Sequence, residues 1–485
     1  MNMTARQSEQ LWAGVAKEDI TNIEAGPVND PLYVKALVLK DDDTLVVLIT
    51  VDAVAIAEIG SIRNDYLANV RARLHQELKI EAAHIVINAS HCHGVVCDDV
   101  ALRTIKAVKA ACQHMVPVTV GVGTGYEDRI MENRRLKLKN GREADVRHAY
   151  ALPADEEVVG VGPIDPEIGI LRLESENGQT VAVVFNFACH PIMGVPGRGN
   201  TADLSGFACH VIEDNLDDGG MAFFLQGCAG DINPILYKDV NNLRDAETLG
   251  NLLGLSTLKA LRKIKSRAGG TLKVIREILV LPRADLAQPI EDLQAEQMRL
   301  LASLNGTNLN LKTFLPLIMK YKLSDDYPSY SSHRYLHEKM MGRSDLEKLD
   351  VENRQHIERY IQNIHIMEEL TRVQTNLNLL KKRHAQNVSA GKGTLEVEVV
   401  GLRIGDFVLA TFPGELSVEI GLNIKGKSPH KHTFVAGVTN GYIYYTPTTE
   451  QLNNRGGAQE DSDCLVAHEW QMLFEDTVAD ILTRL

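Results

Sequence analysis

The chain has 485 residues, 51 of them Lys or Arg and 64 Asp or Glu, for a net charge of −13. Hydrophobic residues make up 44%, charged residues 24% and aromatics 5%; this is an ordinary globular composition, enough for roughly two to four lobes, and excludes collagen-like, disordered and disulfide-scaffold chains. The acidic balance argues against nucleic acid and anionic membrane surfaces as partners, because both select clustered Lys and Arg.

The opening segment, 1–15, contains Gln, Glu and Arg and no apolar run of signal-peptide length. No later stretch approaches the ~20 apolar residues that span a bilayer. The seven cysteines form no CxxC pair and their number is odd, so reduced thiols and a cytoplasmic location are expected. From about residue 13 to 280, β-branched runs at 33–39, 44–51, 84–89, 116–122, 181–187 and 221–225 alternate with helical spacing, as at 62–78 and 102–114. This pattern predicts an α/β fold of mixed sheets flanked by helices. Gly121-Val-Gly-Thr-Gly125 looks like a phosphate loop but lacks the following Lys-Ser/Thr, and a tight β-turn is predicted instead.

Residues 285–390 change character, being rich in Leu, Lys, Glu, Gln and Asn. Ile357, Tyr360, Ile364, Met367, Leu370, Val373, Leu377 and Leu380 advance in three- and four-residue steps, predicting a long amphipathic helix. A second helix is predicted at 289–304, opening on a proline, with 325–332 in the linker between them. The plain reading is an inserted long helical hairpin covering the α/β core; a lid and an arm for homo-oligomer formation are the alternatives. Strand-like sequence returns at 394–404, 407–412 and 433–438, and a helix at 466–485 closes the chain. The main domain is thus 1–284 with 391–485, interrupted by 285–390.

Chemistry-bearing residues follow several of these strands. The run Ile85-Val-Ile-Asn-Ala-Ser-His91-Cys-His93 leads into two histidines two positions apart, which would project to one side if the extended conformation persisted. The strand at 181–187 leads to His190-Pro, and that at 407–412 leads through Pro-Gly to Glu415. The strand at 433–438 leads to Asn440-Gly-Tyr442-Ile-Tyr444-Tyr445. Imidazoles and a carboxylate at strand ends are what a first-row divalent metal needs, and strand ends are where α/β folds gather ligands. One histidine after a strand is more often a satisfied core or surface residue; it is the His-x-His together with a second strand-final His that points to a metal. Cys228 reads either as a nucleophile or as a small buried residue, and Asp231 either as an acid/base group or as a turn residue.

In these residues the sequence resembles the N-terminal catalytic domain of the neutral/alkaline (non-lysosomal) ceramidases, which are zinc-dependent amidases. The resemblance is discontinuous but ordered. It runs through Gly14…Asp19-Ile-Thr21, Ser90-His-Cys-His-Gly94, Asn133-Arg134, Asn186-Phe-Ala-Cys-His190-Pro191, Asn200…Asp203-Leu-Ser-Gly206, Gln226-Gly-Cys-Ala-Gly-Asp231-Ile-Asn233-Pro234, Pro413-Gly-Glu415 and Asn440 to Tyr445. It implies one Zn²⁺ (or another first-row divalent metal) held by His91, His190, Glu415 and Tyr445, with Tyr442 the alternative phenol. It also implies that His93, Arg134 and Asp231 orient substrate and manage protons.

The departures point away from ceramide. Asn233 stands where ceramidases have Ser, Arg134 is followed by Arg135-Leu136 rather than Ser-Pro, and the family's later tyrosine falls near Arg455-Gly-Gly457. The family's C-terminal β-sandwich is not represented before Leu485. Added polarity at Arg135, Arg198, Arg455, Gln459, Glu460 and Asp461 suggests a small polar substrate contacting Asn233, Arg455 and Tyr442. The expectation is a zinc-dependent hydrolase of an amide-like bond in that substrate. The alternatives are a metal-dependent lyase or epimerase acting on sugar or sugar-acid derivatives, and a scaffold with structural zinc.

Overall fold

The computed structural model describes residues 10–146, 152–216, 219–239 and 241–485, so the targeting reading of 1–9 lies outside the described residues. Eight strands form the main sheet, in the order Met221–Gln226, Thr180–Phe187, Glu167–Ser175, Val116–Tyr126, Leu11–Asp19, Tyr33–Lys40, Leu45–Val51 and Ile85–Ala89. Its middle is antiparallel, but each edge is a parallel pair: Thr180–Phe187 with Met221–Gln226, and Leu45–Val51 with Ile85–Ala89. These edge strands are near-continuous apolar runs because both of their faces are covered.

Alternation along each strand separates two cores. Val34, Ala36 and Val38 face the helices Tyr66–Leu78 and Val100–Gln113, while Leu37 and Leu39 face a second sheet. That sheet runs Leu272–Pro282, Thr394–Ile404, Phe407–Thr411 and His432–Ala436, its last two strands parallel. Its outer face, including Val399, Val408 and Ala410, is covered by Trp470, Phe474 and Ile481 of the closing helix Trp470–Arg484. The result is four layers, helix–sheet–sheet–helix, as the mixed α/β reading required.

Asparagines join the strand ends of the two sheets. Asn88 Nδ2 donates to Gly437 O at 2.8 Å and its Oδ1 accepts from Gln226 N at 3.0 Å. Asn186 Nδ2 donates to both Leu225 O and Val435 O at 3.1 Å. The C-terminal ends of these three parallel pairs are therefore held at one place.

The predicted insertion leaves and rejoins at a single hairpin. Strands Leu272–Pro282 and Thr394–Ile404 pair without a break from Leu272 opposite Ile404 to Pro282 opposite Thr394. Since loop-closure cost grows only slowly with length, a long segment fits there. Its backbone is the 45-residue helix Asp345–Ser389, about 68 Å long at 1.5 Å per residue. Helix Ala287–Ser303 packs on the C-terminal half of that helix through Leu293, Leu300, Leu370, Val373, Leu377 and Leu380, which is the expected hairpin. Two further helices, Leu311–Leu323 and His333–Met340, cover the other half. Their periodicity is weak because Leu311, Leu315, Met319 and Leu323 remain exposed and Pro316 lies inside the first of them.

The glycine run Gly121–Gly125 is not a turn. It lies inside the strand Val116–Tyr126, where a Cβ on Gly121 or Gly123 would stand 2.7 Å from Ile264; the glycines admit a segment crossing closely over the sheet.

Candidate metal centre

Beyond Ala89 the edge strand ends, and the chain is caught by its neighbour. Ser90 N donates to Val51 O and His91 N to Ala53 O, each at 2.9 Å. His91 adopts φ +67°, the left-handed region that non-glycine residues occupy at a cost of order 1–3 kcal/mol. This corrects the expected strand alternation: His91 turns inward and is buried, whereas His93 is exposed. Val438, Asn440 and Tyr444, in the surrounding loops, and Asp203, at the start of helix Asp203–Glu213, also have positive φ, so strained backbone recurs around this end of the sheets.

His190 follows strand Thr180–Phe187, and its N–H is anchored on Ile232 O at 3.2 Å. Glu415 begins a two-residue strand paired in parallel with Tyr445–Thr446, with Tyr445 as its direct partner. The Gly227–Gly230 loop passes against that strand, and a Cβ on Gly230 would stand 2.6 Å from Glu415 O. Only glycine permits that approach.

These three ends bring His91, His190 and Glu415 together, with ligand atoms within 4.8 Å of one another. His91 Nδ1 lies 2.6 Å from Val54 O, and His190 Nδ1 lies 3.0 Å from Ile232 O. A carbonyl accepts only, so both Nδ1 atoms carry the proton and both Nε2 atoms present a lone pair. Those lone pairs face one carboxylate oxygen: Glu415 Oε2 is 2.9 Å from His190 Nε2 and 3.3 Å from His91 Nε2. Three acceptors aimed at one point need a cation between them, and carbonyl-oriented imidazoles are a usual feature of metal-binding histidine. The donor set fits a first-row divalent metal.

The electrostatics of His190 agree, while those of His91 and Glu415 show how strongly the carboxylate draws positive charge to this point. Burial, only partly opposed by Glu415, pushes His190 down to about 4 and keeps it neutral. Burial also acts against a charged His91, but the Glu415 carboxylate outweighs it and raises that pKa. Glu415 resists its own burial because the two imidazoles hold it well below the usual carboxylate range.

The two tyrosines occupy different positions. The Tyr442 hydroxyl donates to Glu415 Oε1, the oxygen turned away from the histidines. The Tyr445 ring stacks beside His190 with centroids 6.4 Å apart, and the Arg134 guanidinium lies 5.3 Å from its centroid.

Arg134 is fully buried under this cluster. Its Nε donates to Glu460 at 2.6 Å, one terminal nitrogen donates to Gly230 O at 2.5 Å and the other to Asn233 Oδ1 at 3.2 Å. Arg135 is buried beside it, donating to Glu143, Glu460 and Asp461. Burial alone would raise the Glu460 carboxyl, and the two arginines hold it below its ordinary value. Arg135, Gln459, Glu460 and Asp461 therefore do not form a polar rim as expected; they are buried and paired internally. Two adjacent arginines and two adjacent carboxylates, far apart in sequence, offset each other's charge when both segments enter the core.

Asp231 is buried, accepting from Val418 N at 2.8 Å, and its pKa is raised by that burial. It ties the Gly227–Gly230 loop to the segment just after Glu415. Asn233 accepts from Arg134, while its own Nδ2 is buried without a partner. Cys228 is buried and its thiol is pushed far up by desolvation, which withholds the thiolate a nucleophile needs.

His93, its ring 5.8 Å from that of His91, lines a cleft of about 820 Å³ together with residues from 192–201, 237–239 and 242–244. Arg455 lines a different cavity, of about 580 Å³, at the foot of the helical insertion, and donates to Val466 O. The carbonyls of Val54 and Ile232 and the bridging Asn88 were not singled out by the sequence, and Asn186 entered only as part of a motif block; the available signal was an asparagine inside an otherwise apolar strand.

No protein-family model and no curated protein matches the chain. Among solved structures, the neutral ceramidase from Pseudomonas aeruginosa shares the fold with a TM-score of 0.61 and 15% identity, over 99% of this chain and 75% of that one. A ceramidase complexed with C2 gives a TM-score of 0.61 and 15% identity, over 98% and 76% of the two chains. The chain thus has a neutral ceramidase-like fold, as the sequence resemblance implied.

Proposed function

We propose that this chain is a zinc-dependent hydrolase of an amide-like bond in a polar, non-ceramide small molecule. The observation that carries the reading is the convergence of His91 Nε2, His190 Nε2 and Glu415 Oε2, buried beside a polar cleft. The likeness in fold to ceramidases supports it. A divalent metal on these atoms supplies Lewis acidity toward a carbonyl and lowers the pKa of water toward neutrality.

His91, His190 and Glu415 hold the metal. Tyr445 completes the set, since it is the direct strand partner of Glu415 and lies against His190. Tyr442 fixes the carboxylate by donating to its other oxygen. His93, on the cleft side of His91, is placed to exchange a proton with substrate. Arg134 and Asn233 lie beneath, where Arg134, paired with Glu460, packs against the Tyr445 ring and positions it. Asp231 keeps the Glu415 segment in register rather than carrying protons itself.

The test is elemental analysis of purified protein, followed by amine release from a panel of small polar amides. About one zinc per chain is expected, lost together with turnover in His190→Ala and Glu415→Gln. Absence of a stoichiometric divalent ion in the wild type would overturn the reading. Incorporation of label from H₂¹⁸O into the acid product distinguishes hydrolysis from lyase or epimerase chemistry.

A further inference from the structure

The cleft lined by His93 is also lined by the segment that follows His190, which places it next to the buried cluster. Its volume of about 820 Å³ is in the range that holds a small-molecule ligand. Against a chain charge of −13, the cleft carries Arg198, Lys238 and Arg244. The Arg244 guanidinium lies 4.5 Å and the Lys238 ammonium 4.4 Å from the centroid of one ring, Tyr237. Neither arginine forms an ion pair among the described residues, although acidic side chains outnumber basic ones 64 to 51.

The carboxylates that line the cleft are engaged elsewhere. Asp203 is buried and accepts from Gly194 N and Leu204 N. Asp239 accepts from Asn241 N and Asn242 Nδ2 within its own loop. Arg198 and Arg244, lining one cleft without a carboxylate partner among the described residues, repel one another unless an anion joins them, and guanidinium groups match a carboxylate with paired donors.

We infer that the substrate is an acidic amide: its scissile bond lies at the His91–His190–Glu415 centre and its carboxylate is received by Arg198 and Arg244. This rests on the hydrolase reading for the position of the reacting bond, but not for the binding of the acid.

The test is calorimetric titration of the zinc-loaded full chain with a matched pair, N-hexanoylglycine and N-hexanoylethanolamine, which differ in carboxylate against hydroxymethyl. The acid should bind roughly tenfold to hundredfold more tightly. That advantage should shrink in Arg198→Gln/Arg244→Gln, whose side chains are exposed, and should fall with added salt. Equal binding of the pair, no binding of either, or an advantage that survives the double variant overturns the inference. Product release from the bound acid is scored separately. Arginine-dependent binding without cleavage would leave the anion site standing and remove the hydrolase reading.

Discussion

Glu415 divides its two oxygens between tasks: Oε2 faces both histidines, while Oε1 accepts from the Tyr442 hydroxyl. Removing that hydroxyl frees the carboxylate to rotate without touching the imidazoles. Tyr442→Phe is therefore expected to lower zinc affinity about 10- to 100-fold, in line with the loss of a group that orients a ligand. Competition with a chromophoric chelator measures this, and unchanged affinity would show that Tyr442 does not position Glu415. Asp203 offers a second residue-level prediction. Burial pushes its carboxyl up to about 6, against the opposing hydrogen bonds from Gly194 and Leu204. An unfolded Asp titrates near ~3.9, so the folded state binds the proton more tightly. The resulting stability is full below pH ~4 and is lost as pH rises through about 6. The stability of the wild type relative to Asp203→Asn should thus fall by about 2 kcal/mol between pH 4 and 7.5, measured by urea unfolding at the two pH values.

At the scale of elements, the insertion divides in two. Its base is coupled to the site loops: Arg383 bonds Asp463 at 2.5 Å and its guanidinium stacks on Tyr444 at 3.3 Å, while Asn376 donates to Gly456 O. Its outer part has a separate small core of Phe314, Tyr321 and Ile357. Asn305 and Asn363 mark the junction with two reciprocal hydrogen bonds, so the chain passes close to itself there. Replacing 306–362 with a short Gly/Ser linker removes that outer core and should leave the inner one, from Leu293 and Leu300 to Leu377 and Leu380, intact. The shortened protein is expected to bind zinc within about threefold of the full chain, because loop closure between adjacent ends costs little. A large loss of metal would mean that the outer part supports the centre. The long helix was legible because Ile357 to Leu380 face a partner throughout most of their length. Leu311–Leu323 was not, because its apolar stripe is exposed rather than buried.

Across the whole molecule, the site depends on how closely the two sheets approach. Gly169 lies where a Cβ would stand 2.2 Å from the Phe434 ring, and Phe434 in turn packs on Phe407 with centroids 5.0 Å apart. Phe434 belongs to the strand that leads to Tyr442 and Tyr445, so parting the sheets here displaces the loop carrying both tyrosines. Gly169→Ala is expected to destabilise the fold by about 1–3 kcal/mol, the usual cost of overpacking a filled core. Chemical denaturation gives that value, and an unchanged midpoint would mean that the sheets adjust without cost. No helix among the described residues is long and apolar enough to cross a membrane, in keeping with the charge distribution of the sequence.

The sequence by itself determined the α/β class, eight of the nine strands it placed to within one or two residues, the long helix ending near residue 389, and the residues at strand ends that converge as His91, His190 and Glu415; the strands Leu11–Asp19, Glu167–Ser175 and Leu272–Pro282 were not read from it. Periodicity carries the elements because a residue's burial depends on which face it occupies. These three residues were legible because each follows closely on a buried apolar strand. Only the tertiary structure decided that His91 and His93 part company, that Glu460 and Asp461 neutralise Arg134 and Arg135 in the interior, and that Arg198 and Arg244 share a cleft. Those outcomes depend on a left-handed turn at His91 and on pairings across as many as 326 residues. Local sequence cannot encode such pairings, because a charged side chain reads alike whether it meets water or a partner brought from the far end of the chain.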